Sequence, residues 1–379
     1  MKLDILIKNG HVVDPETGRD NVEDIGILGG KITTAKGEAS RTIDASGCYV
    51  TPGLIDFHTH LFFGGNSMGI RPDFLLAFGI TSAVDPGSAG CAAYELFHED
   101  IVEKSKVRVK GLLNVHTSGM PGFGSMEIPD PQMMQKDKIC KLVEKYTGTL
   151  LGLKIRIGAD SVGENEAETL KAASGIAQDA GVFLCVHVTN SSLSAEEIIS
   201  ILKPGDIFCH AFQGRGNSKI IDPNGKLYPA VLKGREKGII FDAANGMSHF
   251  SAEVARSAIS QGFLPDVISS DAIFDSLCSS PLMRNFTFVM SKYLNLGLSM
   301  TDLIKRVTEI PAKLMGMSGK TGTLREGALA DLCILKEKDK ETNFPDPLGG
   351  AVTGSRLLVP QLTVLDGQIV YAQTDFHFS

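Results

Sequence analysis

The sequence lacks the basic excess that proteins binding nucleic acids or anionic membranes usually carry. Its 37 lysines and arginines are outnumbered by 44 aspartates and glutamates, which gives a formal net charge of −7 at pH 7. Phosphate backbones and acidic headgroups are attracted by a basic face, so this balance argues against both kinds of partner. We therefore expect a small-molecule substrate, with neither nucleic acid nor membrane as a partner, while association into a homo-oligomer stays open.

Paired cysteines and long apolar runs are also missing. The seven cysteines form no CxxC, and several lie in apolar runs such as FLCVHV and IFCHAF. Such scattered thiols are typical of reduced, buried cysteines and not of a disulfide framework. No apolar run is long enough to cross a bilayer, and the start, MKLDILIKNG, has no signal-peptide core. These features predict a cytoplasmic protein.

Strand-like runs alternate with helical spacing through the middle of the chain. The predicted strands are GLIDFHTH (53–60), ITSAVDPG (80–87), VKGLLNVHTS (109–118), LLGLKIRIG (150–158), GVFLCVHVTN (181–190), DIFCHAFQG (206–214), GIIFDAANG (238–246) and DVISSDAI (266–273). Helical runs such as AETLKAASGIAQDA and SAEVARSAISQG separate them. Eight strands alternating with helices predict an α/β fold of the (β/α)8 TIM-barrel type over residues 53–319.

The two ends of the chain have a different residue pattern, in which short β-type runs are separated by residues typical of turns. Neither end holds enough apolar residues to form a core alone, so we expect residues 1–52 and 320–379 to combine into one small β-domain. Within the second segment, the charged stretch KEKDKETNFPDP (336–347) predicts a solvated loop.

Polar residues at the carboxyl ends of the predicted strands are candidates for the site, because barrel enzymes act at that face. His58 and His60 lie two apart on one strand, so both side chains share a face. Other strand ends carry His187, His210 and Asp271. A lone histidine in an apolar strand is usually a packed core residue, but imidazoles and a carboxylate converging on one mouth indicate a site for a zinc-like ion. Long glycine- and proline-rich loops, including residues 118–132, are expected to shape that mouth.

The segments TPGLIDFHTH, LLGLKIRIG, CVHVT, FCHAF and ISSDA resemble the amidohydrolase superfamily. The resemblance covers essentially the whole chain and implies two divalent metal ions, expected to be Zn²⁺. The carried-over ligands are His58, His60 and Asp271 for the first ion and His187 and His210 for the second, with Lys154 as the bridge. The resemblance further implies that the bridging lysine is carboxylated by carbon dioxide.

This assignment makes chemical sense of Lys154. A buried lysine readily loses its proton, and the neutral amine can take up carbon dioxide to become an anionic oxygen ligand. The alternative is an ion pair inside the barrel, for which LLGLKIRIG offers no acidic partner. Two metal ions would lower the pKa of a bridging water, and Asp271 would serve as the general acid–base that carries its proton to the leaving group.

The substrate is less sharply indicated. Dihydroorotases usually carry HxHxR, whereas Phe62 stands at the arginine position, and adenine deaminases of the superfamily typically lack the strand-4 lysine. The overall pattern is most similar to a deacetylase subgroup that acts on acetylated 2-hydroxy acids of R configuration, such as acetyl-(R)-mandelate. Esters and N-acetyl amino acids both stay open. A cyclic amide hydrolase is the alternative, and an adenine deaminase or a non-catalytic scaffold is a weaker one.

Four further residues are candidate substrate contacts. Arg156 shares a face with Lys154 and offers a fork for a carboxylate, although it could instead brace a metal ligand. His116 could orient a carbonyl or make a structural hydrogen bond. Asn245 follows strand 7 where related deacetylases tend to show HG, and His249 could compensate for that difference.

Overall fold

We describe the chain from a computed structural model. It describes residues 2–120, 122, 130–162 and 165–376, apart from the side chain of Asp160. Within these residues, no helix is long and apolar enough to cross a membrane.

Seven parallel strands form the greater part of the barrel. In chain order they are β6 (Leu54–Asp56), β7 (Ile80–Asp85), β8 (Arg108–Asn114), β9 (Leu150–Arg156), β10 (Phe183–His187), β11 (Ile207–Cys209) and β12 (Ile240–Asp242), after five strands of the terminal sheet described below. Each pairs with the next in sequence, so the sheet order follows the chain order. Because consecutive parallel strands need a crossover, the segments between them return over the outside of the sheet.

Residues 266–273 close the barrel without forming a regular strand. On one side, the amides of Ala243 and Asn245 donate to Val267 O (3.0 Å) and Ser269 O (3.1 Å). On the other side, the amide of Asp271 donates to His58 O (2.7 Å) and that of His60 donates to Ala272 O (2.9 Å). The predicted eighth strand is therefore present as single bridges to both neighbours, and the predicted TIM barrel is confirmed.

Helices cover the outside of the barrel and its C-terminal side. The α-helices are α1 (Tyr94–Phe97), α2 (Lys136–Lys145), α3 (Ala159–Val162), α4 (Glu166–Ala180), α5 (Ala195–Ile201), α6 (Pro229–Lys237), α7 (Ala252–Ser260), α8 (Phe286–Asn295), α9 (Met300–Val307) and α10 (Glu309–Leu314). Short 3₁₀ turns lie at Pro72–Phe78 and Pro131–Met133, and a π-helical turn at His98–Val102 continues α1. The amphipathic runs at α4 and α7 bury their apolar faces, as their spacing predicted.

The two ends of the chain form one sheet, as predicted. Its strands are β1 (Leu3–Asp14), β2 (Arg19–Leu28), β3 (Lys31–Thr33), β4 (Ala39–Asp44), β5 (Tyr49–Pro52), β13 (Leu332–Pro345), β14 (Ala351–Leu365) and β15 (Gln368–Ala372). The antiparallel pairing of β5 with β13 joins the two segments, and a common core cluster includes Ile7, Val12, Val50, Leu332 and Leu362. The boundaries of the two domains stay a prediction.

The charged stretch 336–347 is not a solvated loop, and that prediction was wrong. Residues up to Pro345 belong to β13, which pairs with β14 along most of its length. Glu337 accepts hydrogen bonds from Arg356 on β14 (Oε1–Nε 2.5 Å), and Phe344 is buried against Phe288 of α8. Cross-strand pairing and one aromatic anchor stabilise this strand, so it needs little of the apolar alternation that identifies strands in sequence.

Candidate metal centre

A first group of donor atoms consists of His58, His60 and Asp271. Asp271 Oδ1 lies 3.4 Å from His58 Nε2 and 3.3 Å from His60 Nε2. All three residues are buried, and their ligand atoms lie within 4.8 Å of one another. The HxH spacing acts here as predicted, because both imidazoles leave the end of β6 toward the same carboxylate.

A second group consists of His187, His210 and His249. Their ring centroids are separated by 4.3 Å (His187 to His210), 4.2 Å (His210 to His249) and 4.8 Å (His187 to His249). His249 Nε2 also lies 3.6 Å from Asp271 Oδ2, so the two groups meet at this carboxylate. His249, which was predicted to contact substrate, thus lies with His187 and His210, two of the predicted metal ligands.

Three histidines have a partner for the ring nitrogen that faces away from the centre, here called an outer partner, which holds the ring in place. The Nδ1 atom of His60 contacts Ser88 Oγ (2.7 Å), that of His210 donates to Ala244 O (2.7 Å), and that of His249 contacts Thr189 Oγ1 (2.9 Å). Metal-binding histidines typically engage their second nitrogen in this way, which fixes the tautomer and the ring orientation. In His210, the proton on Nδ1 leaves Nε2 as an acceptor, and this buried atom has no hydrogen-bond partner among the residues that the structure describes.

The backbone is strained where these ligands leave their strands. His210 and Asp271 have positive φ angles of 66° and 51°, and Ala244, the acceptor for His210, has a φ of 31°. Left-handed conformations are uncommon for residues with a Cβ and cost about 1–3 kcal/mol each. The surrounding packing holds these turns. They direct the ligand side chains toward the C-terminal opening of the barrel, its mouth, and not in the direction that strand alternation would give them.

The two groups differ in their response to protons. Burial and Lys154 act to lower the pKa of His58, but hydrogen bonds to Asp242 and Asp271 outweigh them and raise it to about 9. Burial acts to raise the pKa of Asp271, yet hydrogen bonds from His58 and His60 hold it well below its usual range. In the second group, burial and neighbouring histidines lower the pKa of His187 and His210 well below the usual range, and burial lowers that of His249 to about 4.

Lys154 lies beneath both groups, and its surroundings differ from those expected. Its side chain is buried, and Nζ lies 3.8 Å from Cys185 Sγ and 3.9 Å from Cys209 Sγ. Burial disfavours the ammonium, but the two thiols and the carboxylates of Asp271 and Asp242 raise the pKa of Lys154 above its usual value. Its own strand provides no acidic partner, as the sequence indicated, and the groups that act on its charge come from neighbouring strands.

The predicted substrate contacts are distributed unevenly. Arg156 is half-buried and close enough to His187 and His249 for its charge to lower their pKa values. The ring of His116 contacts Ser118 Oγ (3.0 Å) and Gly119 O (3.4 Å) of its own turn. Most of the loop 118–132 expected to shape this side of the mouth lies outside the described residues.

Asn245 is fully buried and faces the protein framework. Its Nδ2 donates to Ser269 O (3.0 Å), while its Oδ1 accepts from Lys292 Nζ (3.3 Å) and from the Tyr293 hydroxyl (3.2 Å). These bonds connect the turn after β12 to the closing segment and to α8. The substrate contact expected of Asn245 stays a prediction, and the observed role of its side chain is to brace the turn.

Sequence reasoning missed Cys185, Cys209 and Asp242 as neighbours of the site. A signal existed for Cys185, which lies two residues before His187 on the same strand and so shares its face. Cys209 directly precedes His210, and strict alternation would place the two on opposite faces. Cys209 follows the alternation of β11, packs in the interior cluster with Ile207, and brings its Sγ within 3.2 Å of His58 Nδ1. The positive φ of His210 turns the imidazole inward as well, against that alternation.

The donor set fits divalent metal ions. Imidazoles and a carboxylate suit zinc-like ions, and the buried Nε2 of His210, which has no partner within the described part of the chain, is an acceptor that such an ion would satisfy. A further group, His58, Cys209 and His210, also places its ligand atoms within 4.8 Å of one another, so the two sides form one continuous cluster.

Comparison with known proteins identifies the family. The model of the amidohydrolase family matches residues 49–370. The chain belongs to this family. It is a metal-dependent hydrolase with the family's barrel and an added sheet from the chain termini.

Individual relatives carry different names. The chain is 31% identical to a protein named deacetylase from Brucella anthropi, with 90% of this chain and 85% of the relative covered. A crystal structure described as an adenine deaminase superimposes with a TM-score of 0.88 at 28% identity, covering 98% of this chain and 100% of that chain. One described as a dihydroorotase also gives 0.88, at 29% identity over 97% and 98% of the two chains.

Proposed function

We propose that this amidohydrolase removes an acetyl group from a small carboxylate-bearing substrate, either an acetylated 2-hydroxy acid or an N-acetyl amino acid. The observation that carries the proposal is the convergence of two donor groups on the carboxylate of Asp271, whose oxygens face His58 and His60 on one side and His249 on the other. Relatives named deacetylase support the acetyl substrate.

In the proposed centre, His58, His60 and Asp271 would hold one divalent ion, and His187 and His210 the other. Divalent ions in such a pair supply polarisation of a substrate carbonyl and a lowered pKa for a bound water. Lys154 would bridge them once its amine is carboxylated. The thiols of Cys185 and Cys209 and the carboxylates of Asp271 and Asp242 raise the pKa of Lys154, so its ammonium has to lose a proton before carbon dioxide can add.

Asp271 is the proposed proton carrier. Its hydrogen bonds keep it ionised, so it can accept the proton from the attacking water. It would then donate this proton to the leaving oxygen or nitrogen. The amide of Asp271 donates to His58 O (2.7 Å), which fixes the backbone from which this carboxylate reaches the mouth.

Arg156 is the proposed clamp for the substrate carboxylate, because its charge lies beside the second group. An apolar cluster of Met68, Met120 and Ile273, with Met247 packed against it, includes a residue two positions after Asp271. A cation and an apolar cluster near the reacting position suit a carboxylate that carries an apolar substituent.

A cyclic amide hydrolase is the second candidate, favoured by the likeness to a structure described as a dihydroorotase. Phe62 speaks against it. Its ring is buried and packs on Phe97 with centroids 5.6 Å apart, so this position provides no charged group for a substrate carboxylate.

Turnover by protein prepared with zinc and bicarbonate tests the proposal. The panel comprises R and S acetyl-2-hydroxy acids, N-acetyl D- and L-amino acids, dihydroorotate and hydantoins. Acetate release with a preference for one enantiomer is the expected result. Ring opening without acetate release would replace the proposal by the cyclic amide hydrolase, and zinc-loaded protein inactive on every acetyl compound would overturn it.

A further inference from the structure

The second donor group contains three imidazoles, whereas the family resemblance assigns two, those of His187 and His210, to the second ion. We propose that His249 is a protein ligand of the second ion, so that His187, His210 and His249 form a trihistidine site. This inference rests on the proposed two-ion centre, and it gives His249 a different role from substrate contact.

The geometry supports three ligands and not two. The three ring centroids lie 4.2–4.8 Å apart, and the ligand atoms lie within 4.8 Å of one another. Nitrogens bonded at about 2.0–2.1 Å to one tetrahedral ion are separated by about 3.3 Å. Small side-chain rotations would therefore bring all three nitrogens to a common ion.

His249 has the outer partner that a ligand needs. Thr189 Oγ1 lies 2.9 Å from its Nδ1, and Thr189 is itself buried. With Nδ1 engaged there, Nε2 faces the centre, 3.6 Å from Asp271 Oδ2. His60 and His210 show the same arrangement, with Nδ1 on Ser88 Oγ and on Ala244 O respectively. His249 thus shares the outer contact of two ligands that the family resemblance assigns.

The segment that carries His249 is anchored on both sides of the residue. Before it, Asn245 is bonded to Ser269, Lys292 and Tyr293. After it, Phe250 is buried, and the amide of Ser251 donates to Phe212 O (2.8 Å), two residues beyond His210. The imidazole is therefore held in position before any ligand arrives, and ion binding requires no loop closure.

A trihistidine site would also hold its ion without carbon dioxide. Lys154 Nζ contacts two thiols below the imidazoles and needs a chemical modification before it can ligate. Three neutral imidazoles are sufficient for zinc, with a position left open for water or substrate. Carboxylated Lys154 would then add a bridge to a second ion that is already bound.

Cobalt(II) titration followed by visible absorption, with bound metal counted by mass spectrometry, tests the inference on the full chain without bicarbonate. His249→Ala is expected to weaken one of the two ions by about 100-fold or more and to leave the other unchanged. Thr189→Val, which keeps the imidazole but removes its outer partner, is expected to weaken the same ion by about 10-fold. His11→Ala removes an imidazole from the terminal sheet and serves as the matched control.

The outcomes separate this inference from the proposed function. If His249→Ala and Thr189→Val bind both ions as tightly as wild type and His249→Ala only raises KM, His249 is a substrate contact and the inference is overturned while the two-ion centre stands. If the wild-type chain binds fewer than two ions even with bicarbonate, the proposed centre itself is overturned. Circular dichroism melting of each variant shows whether a lost ion reflects a lost ligand or a lost fold.

Discussion

The two donor groups of the mouth differ in character although they share Asp271. The first surrounds a carboxylate, and hydrogen bonds to Asp242 and Asp271 raise the pKa of His58 to about 9 against the effect of burial. The second contains imidazoles alone, and burial lowers the pKa of His249 to about 4. The first group therefore holds a proton on His58 that a metal ion has to displace, while the second offers neutral lone pairs.

Replacement of the shared carboxylate should have the largest effect. Asp271→Asn removes the proton carrier and the charge of the first group, so we expect kcat/KM for acetate release to fall by about 10²–10⁴-fold. The first ion should be lost and the second retained, which mass spectrometry of bound zinc measures.

Asp242→Asn is the matched control for that variant, because Asp242 Oδ2 lies 3.4 Å from His58 Nδ1 and its other oxygen accepts from Ser269 Oγ and the amide of Ala244. We expect it to weaken metal binding by about 10–100-fold. Equal effects of the two variants would mean that Asp271 is not special, and the distinction between the two groups would fail.

Lys154 is the proposed link between the groups. Lys154→Ala should lower turnover by about 100-fold or more, since loss of even an outer partner costs about 10–100-fold in activity. A short carboxylate such as propionate, added to the variant, should restore part of the rate because it can take the place of the carboxylated side chain. An unchanged rate with both ions retained would exclude the bridging role.

Substitution of the outer partners tests the two donor groups separately while every ligand is kept. Ser88 Oγ contacts His60 Nδ1 of the first group (2.7 Å), and Thr189 Oγ1 contacts His249 Nδ1 of the second (2.9 Å). Ser88→Ala is expected to weaken the first ion by about 10-fold and to spare the second, the reverse of Thr189→Val. Cobalt titration distinguishes the two ions, and a variant that weakens both equally would show that the groups act as one.

Much of the fold was visible in the sequence because the barrel repeats a simple pattern. Apolar strands alternate with amphipathic helices, and the HxH that follows β6 directs two imidazoles toward the same carboxylate, on one side as strand spacing predicts. The strand at β13 was missed because Lys336 to Thr342 carries almost no apolar alternation, and its stability comes from pairing with β14.

The site was predicted less completely, for a local reason. His210 after β11 and Asp271 in the closing segment have positive φ angles, so their side chains turn in directions that alternation does not predict. The grouping of His249 with His187 depends on a turn held by contacts from α8, far along the chain. These positions depend on tertiary packing, so the local sequence does not predict them.

The residues that brace the second group from behind are expected to affect stability and not metal binding. Lys292 is buried, with Nζ 3.3 Å from Asn245 Oδ1 and 3.9 Å from the Phe250 ring centroid, and desolvation lowers its pKa to about 7 although Asp346 opposes this. In the unfolded chain the lysine keeps a pKa near 10.4. Between these values the unfolded state binds more protons, so this lysine makes the folded state less stable as pH falls from about 10 to 7.

Lys292→Met should remove that dependence. The difference in unfolding free energy between variant and wild type should grow in favour of the variant as pH falls through this window, by at most about 1.4 kcal/mol per pH unit. Melting temperatures by circular dichroism across the window measure the slope, and Lys233→Met, at an exposed position of α6, is the control. Loss of the hydrogen bond to Asn245 shifts the unfolding free energy by the same amount at every pH and leaves its slope against pH unchanged, because the Tyr293 hydroxyl still donates to Asn245. Parallel curves for wild type and Lys292→Met would show that the lysine keeps its charge in the fold and braces the turn as an ammonium.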